Sequence, residues 1–257
     1  MEHRRAALTE RLGWGGRVAR SHAKRLPDSY WLAEPPDWQL ANALQVAVSE
    51  ARIGERVPSV EIADDPDTGA TRVSIFTADR EGLFHRICAG LANAGANIID
   101  ARIHTTRDGM ALDNLLVFDA RGRPYRDKRQ RDRLERAVLK ALTAETPPSP
   151  PVPRQSPRDS QFEVAPSVAI AERASNRTTV VEVNARDRPA LLAGLAGAIH
   201  GRGHIIHSAH IATYGERAVD VFYLTRADGQ KLHTDDIEPL RLALLAAARE
   251  TSEAAAA

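Results

Sequence analysis

Two runs of alternating apolar residues, Val73–Thr77 and Thr179–Asn184, each give way to a stretch with apolar side chains every three to four positions. Alternation sends side chains to opposite faces of a strand, whereas the longer repeat gathers them on one face of a helix. The helical stretches are Glu81–Ala94, with Leu83, Ile87 and Leu91 in line, and Pro189–Gly201, with Leu191, Leu195 and Ile199 in line. A short strand precedes each run, at Val60–Ala63 and Val168–Ala171. Two strands follow each helix: Ile98–Thr105 with Ala111–Asp119, and Ile205–Thr213 with Ala218–Thr225, joined at "RDG" and "YGE" turns. A second amphipathic helix closes each half, over Asp127–Leu142 and Asp235–Arg249.

The halves are copies. "PSVEIADD" at Pro58–Asp65 aligns with "PSVAIAER" at Pro166–Arg173, and Gly95, Ala101, Ile103 and Thr105 align with Gly203, Ala209, Ile211 and Thr213, all at an offset of 108. The offset drops by one in the following turn, so Asp113 meets Asp220 and Gly122 meets Gly229. The order β-βαββα is that of a ferredoxin-like βαββαβ unit whose last strand is supplied from the front. Nothing strand-like follows the second closing helix, where the sequence reads "RETSEAAAA". The expected fold class is therefore α+β: an N-terminal helical docking segment over 1–56, units over 57–145 and 164–250, a Pro-rich linker over 146–163 and a disordered tail over 251–257. The linker carries six prolines between Pro147 and Pro157, so it reads as an extended tether. Tyr30, Trp31 and Trp38 give the first segment more aromatic surface than it can bury alone.

Composition narrows the chemistry by exclusion. The 257 residues carry a formal charge of +1, which supplies no global field for nucleic acid or membrane. Cys88 is the only cysteine, no signal-peptide pattern opens the sequence and no apolar run approaches a bilayer span, so a cytoplasmic protein is expected. "GWGG" at Gly13–Gly16 lacks the preceding strand of a phosphate loop and reads as a helix terminator. His200, His204, His207 and His210 crowd together, but strand parity puts His207 with Ala209 and Ile211 and turns His210 away, which disfavours a metal centre. One of these histidines near a ligand pocket is the preferred reading. The run "RGRPYRDKRQRDRLER" has eight basic residues against three acids and reads as salt-bridge lacing on an exposed helix.

The shared motif is Asp-Arg-x-small, at Asp79, Arg80, Gly82 and Leu83 and again at Asp187, Arg188, Ala190 and Leu191. It joins a strand to a helix start, where unpaired amides and the helix dipole suit an anionic group such as an amino-acid carboxylate. The acid can cap the helix or pair with a ligand ammonium. Good helix-start chemistry alone would also explain these residues.

The units resemble ACT domains. "SYWLAEP", the stretch from "TADREGLFHR" to "LLVFD", and the stretch from "ASNRTTVVEV" to "DVFYL" are together similar to the C-terminal region of the bifunctional PII uridylyltransferase/uridylyl-removing enzymes. The resemblance implies a regulatory ACT pair that senses an amino acid, glutamine being expected. Its ligand residues would be Asp79, Arg80, Gly82, Leu83, Asn97 and Ile98, with Asp187, Arg188, Ala190 and Leu191 in the second copy. It implies the nitrogen-regulatory PII protein or the family's catalytic domains as partner. No cofactor is expected in this chain, because Mg belongs to catalytic domains whose signatures are missing here. Ala190 stands where the family has glycine and should narrow the second pocket. The alternative is a non-catalytic module that dimerises or docks without a ligand; exposed sheet edges would equally allow a homodimer.

Overall fold

The structure is a computed structural model that describes residues 2–12, 16–51, 58–149, 164–171 and 173–249. The expected tail, the tether beyond residue 149 and Gly13–Gly15 lie outside the described residues. The first copy consists of β1 (Ser59–Asp64), β2 (Thr71–Ala78), α5 (Leu83–Asn93), β3 (Ala96–Arg102), β4 (Met110–Asp119) and α6 (Lys128–Thr143). The second repeats it with β5 (Ser167–Ala171), β6 (Thr179–Arg186), α7 (Leu191–Gly201), β7 (His204–Tyr214), β8 (Arg217–Arg226) and α8 (Thr234–Arg249). Four helices precede them: α1 (Glu2–Leu12), α2 (Gly16–Arg25), α3 (Asp28–Ala33) and α4 (Pro36–Ala51).

Each copy forms a four-stranded antiparallel sheet, in the orders β1-β2-β4-β3 and β5-β6-β8-β7. The leading strand occupies the edge that the last strand holds in a ferredoxin-like sheet, so the permuted arrangement read from the sequence is the observed one. Both copies carry the same bulge, with register shifts between Ile98 and Asp100 and between Ile206 and Ser208. The extra residues are Ile99 and His207. This overturns the parity assigned to His207: it does not share the buried face of Ala209 and Ile211 but is exposed, with Nε2 2.7 Å from the Thr225 hydroxyl.

The helix faces read from the sequence form the core. Leu83, Ile87 and Leu91, and Leu191, Leu195 and Ile199, are all buried in one apolar cluster that runs through both copies. Both helices nevertheless start two residues later than the pattern predicts, because Gly82 (φ 69°) and Ala190 (φ 63°) are left-handed and cannot belong to a helical turn. Asp127 is not the first residue of α6 but its cap, accepting from the amides of Arg129 and Gln130 at 3.0 and 3.2 Å. The basic run around α6 is partly laced as expected, by Lys128–Asp132 (3.4 Å) and Arg131–Asp64 (2.6 Å).

The aromatic N-terminal segment docks on the chain's own first sheet. Tyr30 and Trp31 of α3 are fully buried in a cluster with Phe76 of β2 and Leu112 of β4. Glu34, just past α3, is the polar anchor. Its buried carboxylate lies 2.8 Å from His104 Nε2 and accepts from Asn114 (3.0 Å) and Arg102 (3.3 Å). Arg102 in turn lies over the Trp38 ring at 4.8 Å. The first sheet is thus covered on both faces, and β2 is buried along nearly its whole length; β6 is less covered, with Val180 half-buried and Glu182 exposed.

The duplication makes this difference testable. Leu112 (0% exposed) and its counterpart Val219 differ in cover. Leu112→Ala should cost about 2–5 kcal/mol in denaturant unfolding. Val219→Ala should cost about 1 kcal/mol or less. Equal losses would contradict the unequal coverage.

Candidate functional site

Helix α5 packs on α7, and β3 runs beside β7, so the start of each first helix faces the other copy. Two clefts result, related by the duplication. The first encloses about 340 Å³ between Asp79–His85, Ile103, Thr105 and Asp113 of the first copy and Ala196, His200 and His204–Ile206 of the second. The second encloses about 20 Å³ between Asp187, Arg188, Ala190–Ala193, Ile211, Thr213 and Asp220 of the second copy and Cys88, Ala92 and Ala96–Ile98 of the first.

The ten residues singled out in the sequence divide between these clefts. Asp79, Arg80, Gly82 and Leu83 line the first. Asp187, Arg188, Ala190 and Leu191 line the second, and Asn97 and Ile98 join them there rather than joining the motif of their own copy. The two arginines are held by backbone. Arg80 donates to the Leu142 carbonyl, and Arg188 donates to that of Ala247 at 2.5 Å; both tie the strand-to-helix loop to the closing helix. Asp79 accepts from the Thr105 hydroxyl at 2.9 Å, whereas Asp187 accepts from Asn97 Nδ2, across the copies, at 3.5 Å.

Other lining residues carry no motif. Asp113 and Asp220 are buried on the floors of the first and second clefts, and each has one carboxylate oxygen without a hydrogen-bond partner. Burial pushes Asp113 up to about 8, with the charges of Asp79 and Glu34 adding to it. Burial also pushes Asp220 up to about 7, with Asp187 adding. The wall of the first cleft is histidine. The His200 and His85 rings stack at 6.3 Å, and His85 Nδ1 lies 3.0 Å from the Ala193 carbonyl. His204 is buried, its Nδ1 has no partner, and burial lowers its pKa. The second cleft has Ala92 and Ala96 at the equivalent positions. The sequence signal for this wall is polarity without a counterpart: histidine in one copy, alanine in the other. Among the described residues no group of three or more His, Cys, Asp or Glu side chains is placed to hold a metal ion, and no helix is long and apolar enough to cross a membrane.

The small residue of the motif also differs between clefts. Gly82 is pressed by His200: a Cβ there would lie 2.9 Å from the imidazole Cε1. Ala190 is the only non-glycine residue with positive φ among the described residues, so the second copy holds the turn against a steric penalty.

The fold and clefts define a tandem pair of permuted ferredoxin-like units with an interfacial pocket. No family model matches the chain. It is 43% identical over 256 residues to the bifunctional uridylyltransferase/uridylyl-removing enzyme of Erythrobacter litoralis, covering 98% of this chain and 28% of that enzyme. Similarity to the enzyme of the same name from Novosphingobium aromaticivorans is 47% over 233 residues (90% of this chain, 25% of that enzyme). To that of Zymomonas mobilis it is 40% over 253 residues (96% and 27%). The chain is therefore homologous, over nearly all its length, to a region of these bifunctional enzymes, as its motifs indicate, and it spans about a quarter of the length of the curated relatives it matches. Among solved structures, an aspartate kinase from Synechocystis is 15% identical with a TM-score of 0.37, covering 79% of this chain and 38% of that one.

Two substitutions test the site's physical description. Ala190→Gly should stabilise the chain by about 1 kcal/mol by releasing the left-handed strain, and an unchanged or lower Tm would contradict it. For Asp113 the pH window runs from the ordinary carboxyl range near ~4 to about 8. Within it the folded chain holds a proton that the unfolded chain has lost, so this group makes stability fall as pH rises. Asp113→Asn removes the titration, and its Tm relative to the unsubstituted chain should rise between about pH 5 and pH 8. A pH-independent difference would overturn the assignment.

Proposed function

We propose that this chain is the amino-acid-sensing tandem ACT module of a PII uridylyltransferase/uridylyl-removing enzyme, with glutamine as ligand, and that it sets which catalytic activity prevails as nitrogen status changes. The observation that carries this reading is the first cleft: an interfacial cavity of about 340 Å³ at a helix start, where Asp79 and Asp113 face side chains of the other copy. Homology to a region of the bifunctional enzymes supports the regulated activity, and the PII protein or the enzymes' catalytic parts are the partners that follow. In this reading the ammonium sits at Asp79, the carboxylate takes the amides at the start of α5, and Gly82, having no Cβ, lets the His200 imidazole close over the loop as the wall of the cleft. A ligand touching both copies stabilises their paired state and passes that change to whatever the N-terminal helices contact.

Glutamine in the millimolar range should raise the Tm of the isolated chain, by the equivalent of about 2.7 kcal/mol at a hundredfold excess over Kd. Gly82→Val, shown to be folded by circular dichroism, should abolish the shift. A flat response of the folded, unsubstituted chain across millimolar glutamine would refute the reading.

A further inference from the structure

We infer that the first cleft is the chain's single ligand site, and that His204 and Asp113 select an amino acid whose side chain ends in a neutral hydrogen-bonding group such as a carboxamide. This rests on the sensing role proposed above and goes further, by assigning selectivity to two residues that lie outside the shared motif.

The second cleft supplies the comparison. There Asn97 reaches across from the first copy to within 3.5 Å of Asp187, so the chain's own carboxamide stands where a ligand ammonium would otherwise meet the acid. Its volume is about 20 Å³, too little for an amino acid. In the first cleft the residue equivalent to Asn97 is Ile205, which cannot donate from its side chain. Asp79 accepts from the Thr105 hydroxyl of its own copy, and about 340 Å³ remains. One cleft is plugged by the chain's own carboxamide, and the other is left for a group brought from outside.

The unmade hydrogen bonds of the first cleft indicate which group. Asp113 is 1% exposed with Oδ2 unpartnered, and His204 is 8% exposed with Nδ1 unpartnered; both line the cavity. Buried polar atoms without partners are rare and cost free energy until a partner arrives. Burial raises the carboxyl and lowers the imidazole, so near neutral pH both offer hydrogen bonds with little charge. A ligand carrying a second full charge would lose its hydration there without an opposite charge to replace it. A carboxamide supplies both a donor and an acceptor, and an aliphatic end would leave both protein atoms unpaired. The second cleft also has a buried floor acid but Ala92 and Ala96 in place of His200 and His204, and of these two histidines His204 is the one whose buried nitrogen lacks a partner.

Isothermal titration of the chain at pH 7 with glutamine, glutamate and methionine tests the inference. The expected result is one glutamine per chain, bound about tenfold or more tightly than either competitor. His204→Ala, which copies Ala96, should weaken glutamine by about tenfold while methionine changes little. Asp113→Ala should act in the same way, and Asp113→Asn should restore binding to within about threefold. Asn97→Ala, confined to the second cleft, should leave the affinity unchanged. Two glutamines per chain, unaltered selectivity in His204→Ala, or loss of binding in Asn97→Ala would overturn the inference while leaving sensing intact. If the unsubstituted chain binds no amino acid, the sensing role itself fails.

Discussion

The packing of α5 on α7 is the constraint on which the rest of the molecule depends. Each helix begins at a turn that its own copy leaves open on one side, and the neighbouring copy supplies the missing wall. Small residues make the approach possible. Gly197 lies under the His85 ring, Gly82 lies under His200, and Cys88 and Ala196 sit at equivalent places on the two helices. A bulkier contact would hold the copies apart and merge the clefts with solvent. With the contact in place, apolar burial runs continuously through both copies, so the pair behaves energetically as one core.

Duplication followed by divergence has given the two clefts opposite characters. Floor acid, strand-to-helix turn and loop-anchoring arginine are present twice. What differs is the wall, histidine on one side and alanine on the other, together with the residue that reaches across, Ile205 or Asn97. Asp220, like Asp113, keeps an unpartnered oxygen, although its cleft has closed around it. The left-handed Ala190 fits the same picture: the turn has the shape of the one at Gly82 although its residue does not adopt it without strain.

The architecture is legible in the sequence because each copy reports the same alternation, the same amphipathic helices and the same glycine after the first helix, Gly95 and Gly203. Two local departures come from backbone geometry that side-chain patterning does not encode. Left-handed residues at 82 and 190 delay the helices, and the bulges at Ile99 and His207 reverse strand parity. The site is half legible. Helix-start chemistry points to Asp79 and Gly82, but which distant residues complete each cleft depends on how the copies cross. Asn97 therefore sits with Asp187, 90 residues away, and not with Asp79. Asp113 shows in the sequence only as the acid that meets Asp220 in the repeat, and His204 only as one of four crowded histidines, of which His200 and His204 line the first cleft; burial and the partner copy give them their character.

The anchoring of Glu34 bears on where this polypeptide can be divided. Three donors from the first sheet converge on one carboxylate that sits next to the aromatic helix, in a place without solvent. The helical segment is thus the outer layer of the first sheet rather than a detachable leader. A fragment starting at the first strand would present Phe76 and Leu112 to water and leave His104 and Asn114 without their shared acceptor, and such a surface invites self-association. The second copy has no such outer layer, its corresponding face being partly exposed, but its α7 shares one core with α5, so a cut between the copies would uncover that seam instead.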